Sequence, residues 1–77
     1  MTKPEKCTAL LDWLKLADAN DIKATGTTIG QLRQIGHGYR SASPKTAALI
    51  EFASSGAVLR KDLRADDWVI IWPELAA

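Results

Sequence analysis

Cysteine and histidine are almost absent from this sequence, which holds one of each, Cys7 and His37, among 77 residues. One cysteine excludes an intrachain disulfide, and a zinc site needs more cysteine or histidine ligands than these two. A nucleophilic site would have to pair His37 with Cys7, which lies on the apolar stripe of the first predicted helix. We therefore expect no enzyme activity, no metal site and no cofactor.

Long apolar runs are also missing. Asp12 interrupts the apolar residues near the N-terminus, and no stretch approaches the roughly 18 consecutive apolar residues that cross a bilayer. We expect a cytoplasmic protein without a membrane partner. The length allows one hydrophobic core, so residues 1–77 are expected to form a single domain, and a content of 47% hydrophobic and 25% charged residues is typical of a soluble globular protein.

Acidic residues are missing from the middle of the chain. Residues 22–50 contain no Asp or Glu, although acids lie on both sides. The basic and titratable side chains of this segment are Lys23, Arg33, His37, Arg40 and Lys45. A carboxylate near a phosphate raises the electrostatic energy of binding, so an acid-free segment favours a nucleic-acid-binding face over a chance segregation of charge.

Apolar spacing predicts a first helix over residues 4–17, with Pro4 in its first turn and Glu5 near the positive end of the helix dipole. Its apolar stripe comprises Cys7, Leu10, Leu11, Leu14 and Ala17, widened by Trp13 and Leu16. We expect this helix to be part of the core scaffold.

Two short helices separated by a glycine follow. Asp18 or Asn20 caps a helix that stops at Gly26, and Thr27 or Thr28 caps the next one. The inward stripe of this next helix is predicted to be Ile29, Leu32, Ile35 and Gly36. Its outward and flanking residues are predicted to be Gly30, Gln31, Arg33, Gln34 and His37. Amides and arginine without acids are unusual for a solvent-facing surface, which commonly mixes Lys with Glu.

The rest of the chain predicts shorter elements. A fourth helix begins with Ser43 as N-cap and Pro44 in the first position, and it ends where Gly56 adopts the left-handed conformation. Residues 59–63 predict one helical turn, and Asp66 or Asp67 caps another turn that contains Trp68. Residues 69–72 are rich in β-formers, so helix and strand both stay open there. We expect an all-α fold of about five short helices whose C-terminal segment is either helical or β.

A short helix, a glycine turn and a second helix with a polar face form the helix-turn-helix pattern. In this motif the second helix lies in the major groove, which is about 12 Å wide, and its outward residues touch the edges of the bases. With Gly26 at the turn, Leu32 and Ile35 fall where such motifs have core residues.

Two segments resemble phage and prophage Cro-like repressors. Residues 27–35 (TTIGQLRQI), continuing as His37-Gly38-Tyr39-Arg40 and Ser43-Pro44, resemble their recognition helix and the loop after it. The segments GAVLRKDLR, DDW and IWPEL between residues 56 and 75 resemble the C-terminal signature of the same group, which includes YdaS-like antitoxins. The resemblance covers residues 26–75 and implies a Cro-like helix-turn-helix regulator that binds operator DNA as a homodimer.

The residues predicted to read bases are Thr28, Gln31, Arg33 and Gln34. Gln can bond an adenine edge and Arg a guanine edge, whereas the alternative is an ordinary polar helix surface. The residues predicted to contact phosphates are Thr27, His37, Tyr39, Arg40 and Lys45. Such contacts fix position rather than sequence. On this hypothesis two subunits read half-sites about 34 Å apart on double-stranded DNA.

Dimerisation is assigned to the C-terminal segment, about residues 57–77, because small domains often gain stability by pairing. The expected interface residues are Trp68, Ile70, Ile71, Trp72 and Leu75. The tryptophans, including Trp13, are expected to be core or dimer contacts rather than base-stacking platforms, because acids lie close to them in the sequence. A solvated face is expected for Arg60, Lys61 and Arg64, with secondary phosphate contacts as the alternative.

Two other functions stay open. An antitoxin or anti-repressor would use the same fold to bind another protein, and an accessory phage protein would keep only the scaffold. DNA binding that persists without any partner protein would distinguish the regulator from both.

Overall fold

Six α-helices and one terminal 3-10 helix form the described part of the chain, residues 6–76 of the computed structural model. They are α1 (Thr8–Leu14), α2 (Ala19–Ala24), α3 (Ile29–Gly36), α4 (Pro44–Ala53), α5 (Arg60–Leu63), α6 (Trp68–Ile71) and the 3-10 helix Pro73–Ala76. No strand occurs within these residues. The expected all-α fold is therefore confirmed, with six helices in place of about five.

The strand alternative for residues 69–72 is wrong. The N–H of Ile71 donates to the carbonyl of Asp67 at 3.1 Å, and the N–H of Trp72 donates to the carbonyl of Trp68 at 2.7 Å. These bonds close a helical turn. A strand would need a neighbouring strand to satisfy the same groups, and the described residues offer none.

Polar side chains set the starts of α2, α3 and α4. The Asp18 carboxylate accepts from the N–H of Asp21 at 2.8 Å, and the Asp21 carboxylate accepts from the N–H of Asp18 at 3.1 Å, so this pair forms a capping box. Thr28 caps α3, and Ser43 caps α4 ahead of Pro44. The structure thus selects Asp18 over Asn20 and Thr28 over Thr27.

The first helix is shorter than predicted. It begins at Thr8, because Cys7 is extended and its N–H donates at 2.8 Å to the carbonyl of Gly36. It ends at Leu14, after which residues 15–18 turn into the cap of α2. The predicted roles of Pro4 and Glu5 lie outside the described residues.

The core lies where α1 packs against α3 and where α4 packs against α2 and α5. Its fully buried large apolar side chains are Leu10, Leu32, Ile50 and Val58. Smaller contributions come from Cys7, Ile35, Ala42 and Ala47. Partly buried Trp13 and Trp72 pack against this cluster, so the first and last thirds of the chain share one core with α3.

Thr25 and Gly26 form the turn between α2 and α3. Buried Thr25 donates its hydroxyl to the carbonyl of Ile22 at 2.6 Å and accepts from the N–H of Thr27 at 3.4 Å. Gly26 follows with φ +76°, in the left-handed region that a side chain disfavours. The glycine therefore sets where α2 ends and how the chain turns into α3.

The expectation of a solvated face for Arg60, Lys61 and Arg64 is wrong for the two arginines. Arg60 is half-buried, with Nε 3.8 Å from the Glu51 carboxylate and its guanidinium 5.2 Å from the ring centre of Trp72. Lys61 is exposed, and its Nζ lies 5.7 Å from the ring centre of Trp68. These contacts tie α5 to α4 and to the C-terminal segment.

Arg64 is the second half-buried arginine. Its Nε and Nη2 donate to the two carboxylate oxygens of Asp67 at 3.0 and 2.6 Å, and Nη1 donates to the carbonyl of Ala42 at 2.6 Å. Because Ala42 lies in the loop between α3 and α4, Arg64 fastens the C-terminal segment to that loop.

Candidate nucleic-acid interface

Helix α3 has a buried side and an exposed side. Leu32, Ile35 and Gly36 are buried, as predicted. Ile29 is not part of this stripe: it is 40% exposed, which corrects the sequence prediction. Helical geometry explains the difference, since successive residues are about 100° apart and Ile29 lies at the edge of the buried arc, where the chain enters from the turn.

The exposed side of α3 carries Ile29, Gly30, Arg33, Gln34 and His37. These positions follow the i, i+1, i+4, i+5, i+8 spacing of one helix face. Four of them were predicted from the sequence to point outward or to flank the helix. The side chains at the centre of this face are therefore a guanidinium, an amide and an imidazole, without a carboxylate.

Gln31 lies at the edge of this face, next to Gln34 on the adjacent turn. Two positions separate it from Arg33, about 200° around the helix, so the two side chains lie on opposite flanks of α3. Half-buried Gln31 lines a groove between the start of α3 and the start of α4. Among the predicted base readers, Arg33 and Gln34 are thus exposed, whereas Gln31 is half-buried at the edge of their face.

The groove beside Gln31 is rich in hydroxyl groups. Its polar side chains come from Thr27, Thr28, Gln31, Arg40, Ser41, Ser43 and Thr46. The Thr28 hydroxyl accepts from the N–H of Gln31 at 3.2 Å, so it serves the cap of α3. The structure brings together two predicted phosphate contacts, Thr27 and Arg40, in a groove that also receives the N-terminus of α4, where an anion is favoured.

A second groove lies on the opposite flank, between α1 and α3. Three cationic side chains and a histidine line it, Lys6, Lys15, Arg33 and His37, together with the acid Asp12 and with Thr8, Leu11 and Leu14. Asp12 pairs with Lys15 at 3.7 Å, an exposed contact that contributes little to stability. The exposed face of α3 is thus flanked by cations on one side and by hydroxyl groups with Arg40 on the other.

The loop after α3 keeps two more predicted contacts near the helix end. The N–H of Tyr39 donates to the carbonyl of Gln34 at 2.9 Å, with Gly38 at φ +81° allowing the turn. The rings of His37 and Tyr39 stack with centres 6.0 Å apart. Tyr39 and Arg40 are exposed, and Lys45 is exposed in the first turn of α4.

The predicted dimer residues differ in exposure. Ile70 is 79% exposed, and Leu75 is also exposed. Trp68, Ile71 and Trp72 are half-buried, and Trp72 packs on the core. The apolar surface that α6 and the 3-10 helix present therefore consists of Val69, Ile70 and Leu75.

The thiol of Cys7 is buried. Burial raises the pKa of the Cys7 thiol, which keeps it protonated and inert at neutral pH. Within residues 6–76, no three His, Cys, Asp or Glu side chains are grouped so that they could hold a metal ion. In the same part of the chain, no helix has the length and apolar character needed to span a membrane.

Comparisons with protein families, with curated proteins and with solved structures found no match for this chain.

Three residues of the exposed face of α3 and the groove between α1 and α3 were not predicted from the sequence: Ile29, Lys6 and Lys15. For Ile29 the signal was present, because the angular spacing from Leu32 and Ile35 places it at the edge of the apolar arc. For the lysines there was none, since only the packing of α1 across α3 brings residues 6 and 15 beside Arg33.

Proposed function

We propose that this protein is a sequence-specific DNA-binding transcriptional regulator that occupies operator DNA as a homodimer, in the manner of a Cro-like repressor. In this proposal α3 enters the major groove, and Arg33 and Gln34 contact base edges. The proposal also places the protein in the cytoplasm, where it acts directly on DNA and needs neither a cofactor nor catalysis.

One observation carries the proposal: an exposed helix face bearing Arg33, Gln34 and His37 lies within a stretch of 29 residues, 22–50, that has no acid. A helix with such a face fits a groove whose walls are phosphates and whose floor presents hydrogen-bonding base edges. An ordinary solvent-facing helix has no reason to exclude Asp and Glu.

The two grooves support the same interpretation. A duplex that accepts α3 in its major groove presents a phosphate strand on each side of the helix. Lys6, Lys15 and His37 face one of these strands, and Arg40 with the α4 N-terminus faces the other. Gln31 is reassigned by its place in the hydroxyl-rich groove: we propose that it contacts the sugar-phosphate backbone rather than a base.

We propose that two copies pair on the operator. The longest dimension of the molecule is 33 Å, about one turn of B-DNA, so one copy covers a single half-site. Two copies joined through the apolar surface at Val69, Ile70 and Leu75 would present two α3 helices to successive major grooves on one side of the duplex.

The test is selection of the purified protein against a random duplex pool at near-physiological salt, followed by sequencing of the retained DNA. We expect a two-fold symmetric motif whose half-site centres are about 10 base pairs apart. The control is the Arg33→Gln/Gln34→Ala double variant, whose changes lie on an exposed face and should leave folding intact. A folded wild-type protein that enriches no sequence would overturn the proposal.

Phe52 favours a second candidate, the binding of a partner protein. It is 82% exposed on α4, beside Leu59 in a shallow groove. An antitoxin or anti-repressor would bury such a side chain in its target. This candidate predicts that Phe52→Ala abolishes capture of the target and leaves any DNA binding unchanged.

A further inference from the structure

Helix α3 carries two glycines, and packing within the chain explains only Gly36. A Cβ atom on Gly36 would lie 2.6 Å from Cδ2 and 2.9 Å from Cγ of Leu11, so the Leu11 side chain would have to move. A Cβ atom on Gly30 would meet only Oγ1 of Thr28, at 4.0 Å, among the described residues. Alanine would therefore fit at position 30 without moving any neighbour.

Backbone conformation does not explain Gly30 either. The glycines with positive φ are Gly26, Gly38 and Gly56, whereas Gly30 is in the second position of a right-handed helix. Glycine weakens a helix relative to alanine, because the unfolded chain loses more conformational freedom on folding. Folding alone therefore favours alanine at this position, and no contact among the described residues requires glycine there.

Ile29 stands next to the open space above Gly30. It is a β-branched apolar side chain, 40% exposed, at the start of a face that is otherwise polar and cationic. In the major groove the one apolar feature of a base pair is the C5-methyl group of thymine. An exposed isoleucine beside a position without a side chain can pack on this methyl group.

We propose that Ile29 and Gly30 form the specificity-determining pair of the DNA-reading face. Ile29 packs on the C5-methyl group of a thymine, and the absence of a side chain at Gly30 lets the start of α3 approach the neighbouring base edge. The inference rests on the proposed DNA-binding function. The guanidinium of Arg33 on the same face and the acid-free segment favour DNA over an apolar pocket of a protein as the occupant.

The first experiment uses Gly30→Ala, for which stability and binding should change in opposite directions. The helix gains propensity, so we expect the melting temperature to rise by about 2–4 °C. The added methyl group fills the space reserved for DNA, so affinity for the duplex selected by the wild-type protein should fall roughly tenfold. A folding defect cannot produce this pair of results. Unchanged or increased affinity would overturn the role of Gly30.

The second experiment combines Ile29→Ala with replacement of single thymines by deoxyuridine, which removes only the C5-methyl group. At one thymine, each change alone should weaken binding about fourfold, and the two together should weaken it no further. Additive losses at every thymine would overturn the methyl contact. Leu16→Ala is the matched control, because Leu16 is 86% exposed and lies off this face.

The outcomes separate this inference from the function on which it rests. Wild-type protein that enriches no duplex would overturn both. In the other outcome the wild-type protein enriches a motif, and Gly30→Ala and Ile29→Ala bind that motif as tightly as the wild type does. This result would support the regulator and would overturn only the role of Ile29 and Gly30.

Discussion

Arg64 and Ala42 are 22 positions apart in the sequence and are joined by a hydrogen bond of 2.6 Å from Nη1 to the carbonyl oxygen. Asp67 holds the guanidinium from the other side through two further bonds. The bridge links the segment that carries the proposed dimer surface to the loop that carries Tyr39 and Arg40. The position of that loop therefore depends on residues far along the chain.

Arg64→Lys tests this bridge. Lysine keeps the charge but cannot donate to Asp67 through two nitrogens and reach Ala42 as well. We expect a loss of about 1 kcal/mol in the free energy of unfolding, seen as a fall of several degrees in melting temperature, and weaker DNA binding through a looser loop. Lys61→Arg is the control, since that side chain is exposed and does not contact the loop. Unchanged melting of Arg64→Lys would show that the bridge does not stabilise the fold.

Asp67 gives a pH-dependent test of the same bridge. Its hydrogen bonds to Arg64 hold the pKa of the Asp67 carboxyl below the ordinary value of 3.8. A pKa lowered by folding contributes stability that is present above the unfolded value and is lost as the pH falls through the folded one. The melting temperatures of wild type and Asp67→Asn should thus differ by a constant amount from about pH 5 to 7 and converge below about pH 4. A difference that persists in strong acid, where the carboxyl is protonated in both states, would assign the effect to something other than ionisation.

Gly36→Ala tests the close packing of α1 on α3. The added Cβ atom must displace Leu11, and overpacking of this kind costs about 1–3 kcal/mol. Thermal unfolding should show a clear loss, and Leu11→Ala in the same chain should recover part of it by removing the clashing atoms. Gly30→Ala is the matched control, being the same substitution in the same helix without the clash. If the double variant loses as much free energy of unfolding as the two single variants together, the result would contradict the clash.

How far the sequence predicts this fold depends on the range of the interaction involved. The caps at Asp18, Thr28 and Ser43 act within three residues, and the pattern near them predicts the helix starts. The late start of α1 depends on a tertiary contact, the bond from the N–H of Cys7 to the carbonyl of Gly36. Local propensity carries no information on that bond.

The same distinction applies to the candidate site. Arg33, Gln34 and His37 share the exposed face because of helical spacing, which the sequence contains. The place of Gln31 in the hydroxyl-rich groove depends on how the loop before α4 folds back, and that fold depends in turn on Arg64. The sequence suggested solvent-exposed cations at Arg60 and Arg64, because their partners Glu51 and Ala42 are 9 and 22 residues away.

Arg33 and Arg40 are predicted to differ in what they contribute to DNA binding. Arg33→Gln should change the preferred base at one position of the selected motif, because a base contact carries sequence information. Arg40→Gln should weaken binding to all duplexes alike and reduce the slope of log affinity against log salt by about 0.9 for each phosphate that is no longer neutralised. The measurements are repeated selection with each variant and a salt titration by fluorescence anisotropy. Equal effects of both variants on every sequence would place Arg33 on a phosphate.

Ile70 tests the proposed pairing of two copies. It is 79% exposed, so Ile70→Lys should leave the fold of each copy intact while placing a charge in the apolar surface of α6. Loss of the dimer removes the second half-site contact, and apparent affinity for the two-fold symmetric duplex should fall about 100-fold or more. Affinity for a single half-site should stay the same.

Phe52→Lys is the matched control, because Phe52 is as exposed but lies on α4. Sedimentation measures the mass of the wild type and of each variant in solution. A wild-type protein that is a monomer would contradict the pairing. A dimer that dissociates in Phe52→Lys but not in Ile70→Lys would place the interface on α4 rather than in the C-terminal segment.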